Sequence, residues 1–167
     1  MLRNNINPRQ LEGRLKNAAA QFLSKQLVVP KIFIEAQWPD RNQRVDVLAV
    51  DRAGAGDIHV VEVKTNLRAA AESVGRLMLI PAHYRYIATV DHEDLLIPNE
   101  LLSESLLYPP DGIGRIGIIL VGEDEDFQEL STHFAVTPER FRIEKKYFEI
   151  VDRFLNSHEP DLEIRDK

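Results

Sequence analysis

The chain has 167 residues, 44% of them hydrophobic and 29% charged, which is typical of a single globular domain with a buried core. It contains no cysteine, which excludes disulfides, thiolate metal sites and cysteine nucleophiles, and it contains no run apolar enough for a membrane span. We therefore expect a cytoplasmic protein without a membrane partner. The net charge of −6 is uneven, because residues 1–86 hold 13 Lys and Arg against 8 Asp and Glu, and residues 87–167 hold 8 against 19. A polyanionic partner would therefore meet the first half of the chain.

The first part of the chain predicts one helix and three strands. Asn7 and Pro8 are typical of a helix start, and apolar residues recur at helical spacing over 8–26. Alternating patterns predict strands at 31–37, 44–51 and 58–65. The glycine-containing loop 52–57 has hairpin length, so the last two of these strands are expected to pair antiparallel.

The first strand has an expected pleat. Strict alternation places Ile32, Ile34 and Ala36 on one face of the sheet, and Phe33 and Glu35 on the other.

The rest of the chain continues the alternation of helices and strands. A helical stripe covers 67–78 and ends before Pro81, and strands are predicted at 84–90, 115–122 and 132–136. Further helices are expected around 99–107, over the acidic segment 123–130 and over 147–155, followed by a frayed polar tail from 156. This order predicts an α/β fold with a mixed central sheet flanked by helices.

Three charged residues stand out in the predicted hairpin. Asp46 lies inside an apolar strand, and Glu62 and Lys64 share one face of the next strand, with Val61 and Val63 opposite. Paired strands would bring the two carboxylates together, where they repel each other unless a cation joins them. Mg²⁺ is suited to such a site, because it takes oxygen ligands and needs only one or two carboxylates. The alternative is a solvated strand face with a surface ion pair between Glu62 and Lys64.

This pattern resembles the PD-(D/E)XK nuclease superfamily, which has the restriction-endonuclease-like fold. The resemblance rests on Asp46, Glu62 and Lys64 and on the order of elements over about 8–122. It implies a single domain over 1–167 with its core at about 8–122 and an acidic extension at 123–167. The pattern departs from the family in having Val45, not proline, before the aspartate.

The resemblance also implies residue roles. Asp46 and Glu62 would be ligands of Mg²⁺, or of Mn²⁺ in its place, and the Val63 carbonyl would add a third oxygen. Lys64 would act on the attacking water, and Glu12 is similar to an extra acidic residue in the first helix of many members.

The predicted function is that of a metal-dependent nuclease that cleaves phosphodiesters in DNA, with RNA as the less favoured substrate, and a second copy of the chain could serve to cut both strands of a duplex. Basic residues near the site are candidates for phosphate contacts. They are Arg14, Lys16, Arg41, Arg44, Arg68 and Arg76. Two alternatives remain open: a non-catalytic DNA-binding or scaffold subunit of the same fold, and an acidic protein–protein adaptor that binds its partners through residues 91–130.

Overall fold

A computed structural model describes residues 7–38, 43–53, 56–65, 74–90, 115–123 and 130–165. The chain folds as a mixed α/β structure around one sheet. Its elements are α1 (Pro8–Gln26), β1 (Pro30–Gln37), β2 (Arg44–Asp51), β3 (Asp57–Val63), β4 (Tyr84–Val90), β5 (Gly117–Glu123), β6 (Leu130–Val136), α2 (Lys146–Ser157) and β7 (Leu162–Glu163). Residues 74–78 form a further helical segment. The helix predicted around 99–107 and the centre of the acidic helix predicted over 123–130 lie outside the described residues.

Helix α1 begins where the sequence predicts. The Asn7 side chain accepts a hydrogen bond from the Arg9 backbone N–H at 3.0 Å, and Pro8 occupies the first turn, where no N–H is needed. The predicted bounds of 8–26 are confirmed. None of the helices among the described residues combines the length and hydrophobicity that a bilayer crossing requires.

Within the described residues the sheet has seven strands, in the order β6-β5-β4-β3-β2-β1-β7. The predicted antiparallel hairpin of β2 and β3 is confirmed, and β1 also pairs antiparallel with β2. The pairs β3–β4 and β4–β5 are parallel, whereas β5–β6 is antiparallel. The predicted mixed sheet is therefore observed, and β2 and β3 lie in its middle.

Helices cover both faces of the sheet. On one face, here called the α1 face, Leu15 and Leu23 of α1 pack on Val47 and Val61 of the central strands. On the other face, here called the α2 face, the core includes Leu48 and Val60 from the sheet, Leu77 from the segment 74–78 and Phe154 from α2. The hairpin is thus buried on both sides over most of its length.

The end of the chain differs from the prediction. Residues 157–165 do not fray, because β7 pairs with β1 and the Asp161 carboxylate accepts the Ile34 N–H at 2.6 Å. Without β7, the outer side of β1 would be an unpaired sheet edge. Strands β6 and β7, which follow residue 122, extend the same sheet, and α2 packs on it.

Candidate metal and catalytic site

The site begins at an irregular point of β1. Glu35 has a φ of 58°, in the left-handed region that residues other than glycine rarely adopt. The pleat therefore changes side, so that Ile34 packs in the core of the α1 face whereas Ala36 belongs to the core of the α2 face. The prediction that Ala36 shares a face with Ile32 and Ile34 was wrong for this reason.

The neighbouring strands separate at the same level. The backbone pairing of β2 with β3 reaches Val47 and Val61 and does not continue to Val45 and Val63. Instead, the Asp46 carboxylate enters the gap, and its Oδ2 accepts the Val63 N–H at 2.7 Å. An aspartate in an apolar strand is thereby explained, because its side chain satisfies a backbone donor that the departing strand leaves open.

Asp46 and Glu62 meet where β2 and β3 separate, just beyond the Val47–Val61 pair, a place here called the fork. The Glu62 side chain is only 4% exposed, and a hydrogen bond joins its carboxyl group to that of Asp46. Burial, and then the charge of Asp46 and this hydrogen bond, raise the pKa of Glu62 to about 7. The two acids that were predicted to converge are therefore adjacent, and the raised pKa keeps Glu62 partly protonated near neutral pH.

Two basic side chains act on Glu62 from the α2 face. Arg76 Nη1 lies 3.5 Å from Glu62 Oε1, and Arg76 Nη2 donates to the Arg44 carbonyl at 2.7 Å. Arg76 and, more weakly, Lys64 lower the pKa of Glu62, which only partly offsets the effect of burial. Lys64 follows directly after β3 and forms no ion pair with any carboxylate among the described residues. Lys64 is thus near enough to Glu62 to act on its charge, while its role in a catalytic set with the two acids stays a prediction.

Lys16 approaches the same fork from the α1 face. Its Nζ lies 3.0 Å from Glu12 Oε1, 2.8 Å from Glu35 Oε1 and 3.5 Å from Asp46 Oδ1. Burial opposes the charge, but the hydrogen bonds to Glu35 and Glu12 and the charge of Asp46 outweigh it and raise the pKa of Lys16 above its usual range. The predicted phosphate contact does not fit this position, because the ammonium is largely buried and is already paired with three carboxylates.

The other predicted residues are placed as follows. Glu12 lies beside Lys16 and is not in contact with Glu62. Arg44 Nη2 contacts Glu35 Oε2 at 2.7 Å, and Arg14 is exposed on α1. Arg41 and Arg68 lie outside the described residues.

Glu35 was missed by the sequence analysis. An alternating strand pattern gave its side chain no role, and the backbone inversion that turns it toward Lys16 leaves no sequence signal. Lys16 was singled out for the wrong partner, although its i,i+4 spacing from Glu12 was a usable signal.

The donor set suits one hard cation. The described residues contain no group of three or more His, Asp or Glu side chains that could hold a metal ion. Asp46 and Glu62 nevertheless form a hydrogen-bonded acid pair in which the pKa of Glu62 is raised, and a divalent cation could replace the Glu62 proton. Val63, at the end of β3, donates its N–H to Asp46, and the role predicted for its carbonyl as a metal ligand stays a prediction.

A cleft elsewhere in the molecule does not include these residues. It has a volume of about 520 Å³ and lies between the β2–β3 loop and α2, where Arg52, Lys145 and Glu149 surround an apolar floor. Because neither Asp46 nor Glu62 lines this cleft, the fork of β2 and β3 remains the candidate site.

Comparisons with known proteins concern the fold. No protein-family model matches this chain, and no curated protein matches it. Among solved structures it is similar to SPO1766, a protein of unknown function from Silicibacter pomeroyi. The TM-score is 0.55 at 18% sequence identity, over 92% of this chain and 88% of that one. At this identity the likeness shows a shared α/β fold, and it assigns no activity to either protein.

Proposed function

We propose that this protein is a metal-dependent nuclease of the PD-(D/E)XK type, with a restriction-endonuclease-like core, that hydrolyses phosphodiesters in DNA. The observation that supports this is the buried Asp46–Glu62 pair at the fork of β2 and β3, with Lys64 two positions beyond Glu62. A structural ion pair would not require two acids in contact, whereas a cation site would. A cytoplasmic location and a second copy for duplex cleavage stay predictions.

The chain's own residues can be given separate tasks. Asp46 and Glu62, with the Val63 carbonyl, would hold Mg²⁺ or Mn²⁺, which supplies Lewis acidity toward a phosphoryl oxygen and lowers the pKa of a bound water. Lys64 would orient the attacking water and stabilise the charge that develops on the phosphate. Arg76 and Arg44, both exposed beside the pair, would contact the backbone of the nucleic acid.

A second candidate is a non-catalytic DNA-binding or scaffold subunit of the same fold. The observation in its favour is that each acid already has a basic neighbour, Lys16 for Asp46 and Arg76 for Glu62. A fork neutralised in this way could serve the fold without any metal. The adaptor hypothesis depends on residues 91–130, most of which lie outside the described part of the chain.

The test is single-turnover cleavage of labelled single-stranded and duplex DNA in Mg²⁺ and in Mn²⁺, together with calorimetry of metal binding. Wild type is compared with Asp46→Asn and with Asp152→Asn, which removes an exposed carboxylate on α2 far from the fork. We expect Asp46→Asn to lose both metal binding and cleavage, and Asp152→Asn to keep both. Metal binding without cleavage of any substrate would favour the non-catalytic subunit, and the absence of metal binding in wild type would refute the proposed nuclease.

A further inference from the structure

Lys16 occupies the centre of an unusual arrangement of charges. Its ammonium lies 2.8–3.5 Å from carboxylate oxygens of Glu12, Glu35 and Asp46, and its side chain is only 9% exposed. Lysine is seldom buried to this extent unless it is paired, and here it is paired three times. Such a shell of carboxylate oxygens around one positive centre is also what a protein offers to a divalent cation.

The three acids come from three elements that converge on this ammonium. Glu12 is one helical turn before Lys16 on α1, so both project from the same side of the helix. Glu35 reaches the ammonium from a left-handed backbone position, a strained conformation that persists only where surrounding contacts hold it. Asp46 comes from the fork and uses its other oxygen to accept the Val63 N–H.

We propose that Lys16 is a built-in cation, which occupies the place of a second divalent ion beside the Asp46–Glu62 pair and positions Asp46 for binding a single ion. This inference rests on the proposed function, because it concerns the same Asp46. Enzymes that use two metal ions hold them about 3.5–4 Å apart with shared carboxylates. Here Asp46 is the carboxylate shared between Lys16 on one side and Glu62 on the other.

The arrangement explains why Asp46 keeps one orientation. Its Oδ1 faces Lys16 and its Oδ2 faces the Val63 N–H, so both oxygens are held from the protein side. Removal of the ammonium would leave three carboxylates around one space. Their oxygens would need to move inward by about 1 Å to reach the 2.0–2.1 Å distances of a Mg²⁺-sized ion.

The experiment counts Mn²⁺ ions per chain by calorimetry and by electron paramagnetic resonance. Wild type is compared with Lys16→Met, which keeps the length of the side chain and removes its charge. Two controls are Lys16→Arg, which retains the charge, and Lys16→Met combined with Glu35→Gln, which withdraws one of the freed ligands. We expect one magnetically isolated Mn²⁺ in wild type and in Lys16→Arg, and a second, spin-coupled Mn²⁺ in Lys16→Met. The double variant should bind that second ion roughly tenfold more weakly or worse.

The outcomes separate this inference from the proposed nuclease. If wild type binds no Mn²⁺ but Lys16→Met gains one ion, the nuclease proposal fails and the role of Lys16 is supported. Unchanged Mn²⁺ number and affinity in a folded Lys16→Met would overturn the inference. If Lys16→Met does not fold without metal, the Mn²⁺ spectrum of wild type provides the test. A spin-coupled Mn²⁺ pair in wild type would contradict the role of Lys16 as a built-in cation, and a single isolated ion would support it.

Discussion

The two ends of strand β2 carry an aspartate in two opposite settings. Asp51, at the loop end, accepts backbone N–H groups from Val28, Val29 and Ala53 at 2.9–3.2 Å. Burial alone would raise the pKa of Asp51, but these hydrogen bonds outweigh it and hold the pKa below its usual value. Asp46, five positions earlier and about 17 Å away along the strand, accepts one backbone N–H and faces a second carboxyl group.

The two settings distinguish an acid that stabilises the fold, Asp51, from an acid that is suited to bind a ligand, Asp46. Asp51 accepts three backbone N–H groups, two from the connection between α1 and β1 and one from its own loop, so its charge is satisfied by the protein itself. Asp46 is placed against Glu62, whose pKa rises to about 7 because both burial and the neighbouring charge oppose its ionisation. Only the second arrangement gains from an added cation.

The largest expected effect is on cleavage and comes from a substitution at the Asp46 end of β2. Lys64→Ala should leave Mn²⁺ binding intact, or make it tighter, because a positive charge near Glu62 is lost. Cleavage in single-turnover assays should fall by at least about a hundredfold, as when one preorganised electrostatic donor is removed. Lys31→Ala is the control, since Lys31 pairs with Glu163 on the far edge of β1. Cleavage by Lys64→Ala at the wild-type rate would show that Lys64 has no part in the chemistry.

Much of the fold and part of the candidate site could be predicted from the sequence. Asn7 and Pro8 fixed the start of α1, and alternation with a glycine-containing loop predicted the hairpin, because these signals are local. The pairing of Asp46 with Glu62 followed from strand adjacency, which the short loop required.

Non-local geometry was not predictable. The inverted backbone at Glu35 depends on its contacts with Lys16 and Arg44, which come from other elements. The pairing of β7 with β1 joins residues more than 120 positions apart, and a two-residue strand has no periodicity to detect.

The second prediction concerns Asp51, at the loop end of β2. Asp51→Ala should lower the free energy of unfolding by roughly 2–3 kcal/mol, because three backbone donors lose a charged acceptor. The pH dependence follows from the lowered pKa of Asp51. Its contribution to the free energy of unfolding is present in full above the usual carboxyl pKa of about 4, and it is lost as the pH falls through the lower pKa of the folded state. Urea unfolding at about pH 7 and pH 3 should therefore show a difference from wild type that shrinks in acid. Mn²⁺ binding should be unchanged, and its loss would mean that the two ends are not independent.

The third prediction concerns Glu62, whose contribution to stability has the opposite pH dependence to that of Asp51. The folded pKa of Glu62 lies above that of a free carboxyl group, so its contribution to stability is present below about pH 4.5 and is lost as the pH rises through about 7. Glu62→Gln cannot ionise, and in metal-free buffer at about pH 8 it should be more stable than wild type by roughly 1–3 kcal/mol. Thermal melting at about pH 5 should show little difference. Added Mg²⁺ should stabilise wild type and leave the variant unaffected, and equal melting curves at both pH values would contradict the raised pKa of Glu62.

The smallest expected effect compares two arginines of similar exposure, one at each end of the hairpin. The Arg76 side chain is 50% exposed and lies 3.5 Å from Glu62, whereas that of Arg140 is 46% exposed and donates to Asp57 at 3.0 Å. Arg76→Met should raise the pKa of Glu62 further, because a charge that favours the carboxylate is removed, and it should cost stability by less than about 1 kcal/mol. Arg140→Met should cost a similar amount and leave Glu62 unchanged. Carbon-13 NMR titration of the Glu62 carboxyl group distinguishes the two variants, and an equal shift in both would indicate a diffuse field instead of a local contact at the fork.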